Sequence, residues 1–363
     1  MEWGQLTKVE LSGYKSIKEM SLSLSNLNVL IGPNGAGKSN FIGFFKFLTE
    51  LLEKNFQFYI RTHGTAETFL YFGSKQTEEI KFNLVFSPNY YSVRLATALD
   101  SRLLFKEEYV YYVTPEGKVK KYELKRTSYE ETALFDNEPL AVAKVAKWAS
   151  YHLKNWKVYH FHDTSDTALM KKDSEVNDNK ELYSQAQNLA AFLYSIKDTP
   201  HYQKIVETIQ RVAPFFQDFR LRPDKRDPNL IRLRWKHRAS EIEFDANSLS
   251  DGTVRFICLV TLLLQPDLPS MIIIDEPELG LHPFALHLLG QLLKNASTKT
   301  QILISTQSVI LINQFSYQDL IVVDQINNTT QFKRLNEEDV KAWLDDYQMG
   351  EMWDKNLIGG NPA

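Results

Sequence analysis

Gly32-Pro33-Asn34-Gly35-Ala36-Gly37-Lys38-Ser39 fits the phosphate-loop pattern G-x-x-x-x-G-K-[ST]. Glycines at this spacing let backbone N–H groups wrap phosphate oxygens with no Cβ in the way. A helix starting there aims its positive end at the same charge. Lys38 would neutralise phosphate and the Ser39 hydroxyl would ligate Mg2+. Far downstream, Met271-Ile272-Ile273-Ile274-Asp275-Glu276 is an apolar run ending in two acids. Carboxylates there are costly unless they serve a metal or a water. Beside a phosphate loop, Asp275 would hold Mg2+ and Glu276 would act as general base on the attacking water. A strand that merely ends in surface acids is the bland alternative. Ser248-Leu249-Ser250-Asp251-Gly252-Thr253 opens a nearly all-apolar helix. Small, hydroxyl-bearing residues and glycine at a helix start make an anion-binding end, or simply a good N-cap.

These groups need rigid elements behind them. Leu27–Ile31 reads as a buried strand feeding the loop, and Leu6–Leu11 as an alternating strand before it. The helix expected from about Asn40 carries Phe41, Phe44, Phe45, Phe47, Leu48, Leu51 and Leu52 on its apolar surface. Short β-rich runs follow at Ile80–Phe86, Tyr90–Ala96, Leu103–Val113 and Lys118–Leu124, with a turn signal at Thr114-Pro115-Glu116-Gly117. Next come a helix at Leu140–Lys154, a strand at Val158–Phe161, an exposed polar loop at Asp163–Asn179, and helices at Asn188–Ile196 and Tyr202–Val212. Beyond Leu249 the pattern is helix (Thr253–Leu264), strand (Met271–Ile274), helix (Phe284–Leu293) and strand (Gln301–Ser305), the signature of a mostly parallel, covered sheet. The expected fold is α/β: a P-loop ATPase head with a mixed, mostly parallel sheet, plus an antiparallel β lobe and an inserted helical lobe. Its core would combine residues 1–78 and 231–335, with the β-rich and helical insertion at 79–230 and an acidic helical tail at 336–363.

The chain has 363 residues, 43% hydrophobic and 24% charged, which excludes disordered and disulfide-stapled classes. Forty-two Lys and Arg against 45 Asp and Glu leave a formal charge of −3, so any pull on nucleic acid or lipid must be local. Phe256–Leu264 falls far short of the ~20 residues that span a bilayer. The amino end lacks a basic stretch leading into an apolar one. The expectation is a cytoplasmic protein with no membrane contact. Cys258, among Phe256, Ile257, Leu259 and Val260, reads as a small buried hydrophobe.

Three constellations keep two readings each. His160 and His162 could share a strand face as metal ligands, or be packed and hydrogen-bonded. Arg220, Arg222, Lys225, Arg226, Arg232, Arg234, Lys236 and Arg238 face only Asp224 and Asp227 in sequence. They could line a groove for DNA or RNA phosphates, or form a solvated face. The tail from Glu337 to Asp354 carries seven acids and one base, interleaved with Trp343, Tyr347, Met349, Met352 and Trp353. It could dock a partner or pack on its own chain.

Taken in order, the phosphate loop, Leu249-Ser250-Asp251-Gly252-Thr253 and Ile274-Asp275-Glu276-Pro277 resemble the ABC-type ATPases, where a Leu-Ser-x-Gly element is the signature motif. Leu11-Ser12-Gly13-Tyr14-Lys15-Ser16-Ile17, the loop with its following Asn40, and Asp275-Glu276-Pro277-Glu278-Leu279-Gly280-Leu281-His282-Pro283 look more narrowly like the SMC/RecF-like branch. Within it the chain is similar to single-chain bacterial AAA-type ATPases related to the OLD-family ATPase domain. The resemblance implies that Asn34, Gly35, Gly37, Lys38, Ser39 and Asn40 contact ATP, and that Ser39 and Asp275 hold Mg2+. It further implies a head-to-tail homodimer in which Ser250 and Gly252 of one subunit reach the γ-phosphate bound by the other.

Two departures stand out: His282 takes the place of a transporter-type Asp, and Gln307, after Ile304-Ser305-Thr306, takes the place of the switch His. Glutamine can orient a water but cannot share a proton, so a slow ATPase is expected, with Gln307 beside Glu276 and Lys38 in the catalytic set. Gln76 is a weak candidate for the Q-loop. The residues after Ser308 are too few for the Toprim nuclease that OLD proteins append. The implied role is therefore a sensor or regulator of a separate effector protein, in antiphage defence or DNA transactions. A RecF-like, ATP-gated DNA clamp and a nearly inactive ATP-binding scaffold are the competing readings.

Overall fold

A computed structural model of the chain describes residues 5–98, 100–114, 116–126, 128–136 and 140–360, without the side chains of 140–143. Pro115 of the expected turn, the amino-terminal Met1–Gly4 and the last three residues of the expected tail lie outside that set. The chain divides into two compact units, residues 1–157 with 316–363, and residues 158–315.

The first unit holds a six-stranded antiparallel sheet in the order Ile17–Ser23, Lys8–Tyr14, Glu79–Val85, Tyr90–Thr97, Leu103–Val113, Val119–Glu123. Inward positions alternate along its central strands, as in Ile80, Phe82 and Leu84 or Tyr91, Val93 and Leu95, all buried. The β-rich lobe therefore takes two of its strands from the amino end, so the compact units do not part at residues 78 and 230. Only the fold reveals this, because Lys8–Tyr14 pairs in register with Glu79–Val85 across a long separation.

The strand Leu27–Ile31 in the same unit is buried at every residue. It runs parallel to Leu320–Ile326, which pairs antiparallel with Thr329–Arg334. The helix after the phosphate loop, Lys38–Leu52, buries all seven apolar residues expected of it. Phe41 and Phe45 meet edge to face at 5.3 Å, Phe47 meets Phe56 at 5.1 Å, and Phe45 meets Trp156 at 5.7 Å. Each buried ring contributes roughly 1.5–3 kcal/mol, which fixes the helix rigidly behind the loop.

The second unit contains the parallel strands Met271–Asp275 and Gln301–Thr306. It also contains helices Leu189–Ile196, Pro200–Val212, Asp251–Leu264 and Pro283–Ser297, and a three-stranded antiparallel sheet of Phe216–Phe219, Arg234–His237 and Glu243–Asp245. The expected loop at Asp163–Asn179 is only partly exposed. It forms a short 3-10 turn at Leu169–Lys171 and a bridge strand at Ser174–Glu175, and it buries Ala168, Met170 and Lys171. Cys258 is fully buried and its thiol is pushed up to about 12 by desolvation, so it is a packing residue. Among the described residues, no helix is long and apolar enough to cross a membrane.

In the tail, Met349, Met352 and Trp353 are buried, and the Trp353 indole N–H donates to the Gly360 carbonyl at 2.7 Å. Met349, Met352 and Trp353 thus pack within their own unit, while Trp343 and Leu344 stay exposed among the acids.

Candidate functional site

In the first unit, the end of Leu27–Ile31 turns through the phosphate loop into Lys38–Leu52. Gly35 has φ +81°, and the space where a Cβ would stand is open, with nothing within 4 Å. Asn34 and Gly35 are exposed, as a cradle open to an anion requires. Gly37 has φ +108°, and a Cβ there would collide with the Thr330 side chain. Lys38 is buried and folds back on the loop, its Nζ donating to the carbonyls of Gly32 at 2.6 Å and Pro33 at 2.9 Å. Ser39 is exposed in the first helical turn. The loop therefore fits an Mg-bound triphosphate: an exposed glycine at its tip, one cation on its floor and one hydroxyl at its exit.

Asn40, expected to contact nucleotide, donates its amide to Ser16 Oγ at 2.7 Å. Ser16 Oγ lies 2.7 Å from Thr330 Oγ1, and the Thr330 N–H donates to the Ser16 carbonyl at 2.9 Å. Asn40, Ser16 and Thr330 thus brace the helix start from behind. Gln76 is exposed in a turn closed by its own N–H on the Gly73 carbonyl.

In the second unit, the strand Met271–Asp275 delivers the two acids to different partners. Ser305, fully buried on the adjacent parallel strand, donates its hydroxyl to Asp275 Oδ1. The Glu276 N–H donates to the Ser305 carbonyl at 3.1 Å, and Gln307 Nε2 donates to Glu276 Oε1 at 2.8 Å. Glu276 adopts φ +44°, a left-handed conformation that a non-glycine residue keeps only where its surroundings hold it. Glu278 lies beneath, with Oε1 accepting the Gln307 backbone N–H at 2.8 Å. Burial raises the Glu278 carboxyl above its ordinary range, against the Gln307 N–H.

Ser250 caps the helix Asp251–Leu264, accepting from the Thr253 N–H at 3.3 Å. A Cβ on Gly252 would collide with the Gly280 carbonyl, so the start of this helix lies against the segment that follows Glu276. Arg255, one turn in and largely buried, donates to the carbonyls of Phe161 at 2.8 Å and His162 at 2.9 Å, and to that of Leu279. A recess of about 10 Å³ is lined by Phe161, His162, Arg255, Leu259, Ile274, Asp275, Glu276 and Pro277. That is room for about one water. His282, in place of a transporter-type Asp, caps the helix Pro283–Ser297 through Nδ1, which accepts the Phe284 N–H at 3.3 Å.

Spacing arguments passed over Ser305, Glu278 and Arg255. Each leaves a trace in sequence: a hydroxyl in an otherwise apolar strand, a third acid just past the pair, and a lone cation in an apolar helix.

Other candidates resolve differently. The His160 and His162 rings are 6.5 Å apart, and among the described residues no three His, Cys, Asp or Glu side chains gather to hold a metal. Half of the eight cations in the basic stretch are ion-paired: Arg222 with Glu243 at 2.7 Å, Arg232 with Asp173 at 2.5 Å, Arg234 with Asp245 at 3.4 Å and Lys236 with Glu241 at 3.0 Å. Sequence proximity showed only Asp224 and Asp227, because the neutralising acids arrive from neighbouring strands and loops.

A family model described as "AAA domain, putative AbiEii toxin, Type IV TA system" matches residues 27–313. The fold is similar to the crystal structure of the SmcHead bound to the C-winged helix domain of ScpA, with a TM-score of 0.57 at 16% identity over 93% of this chain and 99% of that one. It is also similar to the Smc head domain with an extended coiled coil bound to the C-terminal domain of ScpA derived from Pyrococcus furiosus, with a TM-score of 0.53 at 14% identity over 94% and 98%. No curated protein matches the sequence. At these identities the likeness establishes the fold: a P-loop head of the SMC kind.

Proposed function

The chain belongs to this AbiEii-type AAA-domain family, and on that premise we propose that it binds and hydrolyses Mg·ATP and uses the cycle to control a separate effector protein. The observation that carries the reading is the unequal treatment of two adjacent acids. Asp275 is held by the Ser305 hydroxyl and Glu276 by the Gln307 amide, beside a recess the size of one water. Two carboxylates with different partners are suited to different tasks.

When bound, the nucleotide would supply the phosphoryl group and Mg2+ would offset the charge on its oxygens. Lys38 and the loop amides would bind the phosphates, and Ser39 with Asp275 would hold the cation. Glu276 would take the proton of the attacking water while Gln307 keeps its carboxylate aimed. Glutamine carries no titrating proton, in keeping with a slow cycle.

Dimerisation through Ser250 and Gly252 onto a second copy's nucleotide is part of the proposal. Exposed Leu279 and Phe284, flanking the Gly280 turn beside that helix start, support it as apolar surface for a partner to cover. The family's description, a toxin of a Type IV toxin–antitoxin system, is in keeping with a partner protein on another chain. The ion pairing of the basic stretch weighs against a DNA clamp.

The test is Mg-dependent ATP turnover together with mass determination with and without ATP. Turnover coupled to an ATP-dependent dimer supports the reading. Tight ATP binding with no turnover would leave the scaffold in its place.

A further inference from the structure

Buried carboxyls are expensive, and Glu278 uses its position incompletely. Oε1 accepts the Gln307 N–H at 2.8 Å and the Thr306 side chain also favours the carboxylate, while Oε2 is buried with no hydrogen bond of its own among the described residues. An apolar side chain of similar size would avoid that cost. What Glu278 does supply is an anchor on the backbone of the residue whose side chain holds Glu276, since the Gln307 amide reaches Glu276 Oε1 at the same 2.8 Å. Two hydrogen bonds through one glutamine thus join two acids that are two residues apart in sequence. Glu276 is itself held at φ +44°, a conformation that needs support from its surroundings.

We propose that Glu278 is a positioning residue of the ATPase cycle: it fixes the Gln307 backbone so that the Gln307 amide presents the Glu276 carboxylate to the attacking water. The inference rests on Glu276 being the general base. It assigns Glu278 no proton transfer and no contact with nucleotide. A residue acting only through Gln307 changes the rate of the chemical step and leaves nucleotide affinity alone. Its effect also disappears when Gln307 is absent, because residues in one hydrogen-bond chain are coupled.

The experiment is a cycle of Glu278→Met, Gln307→Ala and the double variant, with Glu278→Gln as the conservative control. ATP turnover at saturation, affinity for a fluorescent ATP analogue and melting temperature are measured for each. Methionine fills the space and removes the buried carboxyl but also the acceptor of the Gln307 N–H, so Glu278→Met is expected to melt within a few degrees of wild type yet to turn over about 10–100-fold more slowly, with analogue affinity within about twofold. Glu278→Gln keeps an acceptor oxygen and is expected within about threefold of wild type. The double variant is expected to be no slower than the slower single.

Full turnover in Glu278→Met, multiplicative losses in the double variant, or a loss of affinity matching the loss of rate would each overturn the proposal while leaving the ATPase reading intact. Absence of turnover in the wild-type chain would overturn both.

Discussion

Gln307 Nε2 donates to Glu276 Oε1 over 2.8 Å, joining the first residue past one parallel strand to the first residue past its neighbour. The bond leaves the second carboxylate oxygen of Glu276 for a water, and it gives the glutamine at the switch position a structural task that needs no proton. From it follows the clearest expectation about turnover. Glu276→Gln preserves shape but removes the proposed base, so hydrolysis should fall about 10²–10⁴-fold while ATP stays bound. Phosphate release in single-turnover mixing checks this, and an unchanged rate sinks the assignment of the base.

Lys38 is buried and hydrogen-bonded to the Gly32 and Pro33 carbonyls, and the proposed function has its charge meet the phosphates. Lys38→Ala should weaken ATP binding by about 10–100-fold, as loss of a charge-assisted contact does. Equilibrium titration with a fluorescent nucleotide measures it, and affinity within twofold of wild type would contradict the cradle.

Gly252 cannot accept a side chain without moving the Gly280 carbonyl. Gly252→Ala should therefore cost about 1–3 kcal/mol of stability and slow turnover by displacing the segment after Glu276. Thermal melting and the ATPase assay read the two effects separately. A variant as stable and as fast as wild type would show that this contact tolerates a shift.

The ion pairs of Arg232 with Asp173 and Arg234 with Asp245 predict that these cations are poor phosphate ligands. The Arg232→Gln, Arg234→Gln pair should change DNA affinity, and its dependence on salt, by less than about twofold. A salt-sensitive affinity that these substitutions abolish would restore the clamp reading.

Two carboxyls give stability trends of opposite sign. Lys106, with Lys81 and Arg94, holds Glu79 down at about 2 from an ordinary 4.5. Its stabilisation is present above about 4.5 and is lost as pH falls toward about 2. Glu108 is fully buried and desolvation raises its carboxyl, so ionising it costs stability as pH rises above its ordinary 4.5. Relative to wild type, Glu79→Gln should lose its deficit in acid. Glu108→Gln should gain in relative stability from pH 4.5 toward neutrality. Melting temperatures across that range test both signs.

Much of the candidate site's local structure was legible in linear sequence because its groups are local. The phosphate loop, the acid pair and the Ser250 cap each need only a few consecutive residues at one strand or helix end, and the periodicity of Phe41 to Leu52 or Met271 to Ile274 announces the supporting element. Partners were not legible. Nothing near Arg232 in sequence foretells Asp173, and nothing near Asn40 foretells that its amide turns to Ser16.

By itself the sequence nominated the residues proposed for phosphate, metal and proton chemistry, since each motif is a short-range pattern imposed by backbone geometry. Only the tertiary structure decided how those residues are held. It took two strands of the antiparallel sheet from the amino end, neutralised half of the basic stretch, and placed Glu278 beneath Gln307. The physical reason is range. Hydrogen bonds and ion pairs are satisfied by whichever group the fold brings within about 3 Å, and strand pairing brings groups together with no regard to their distance along the chain.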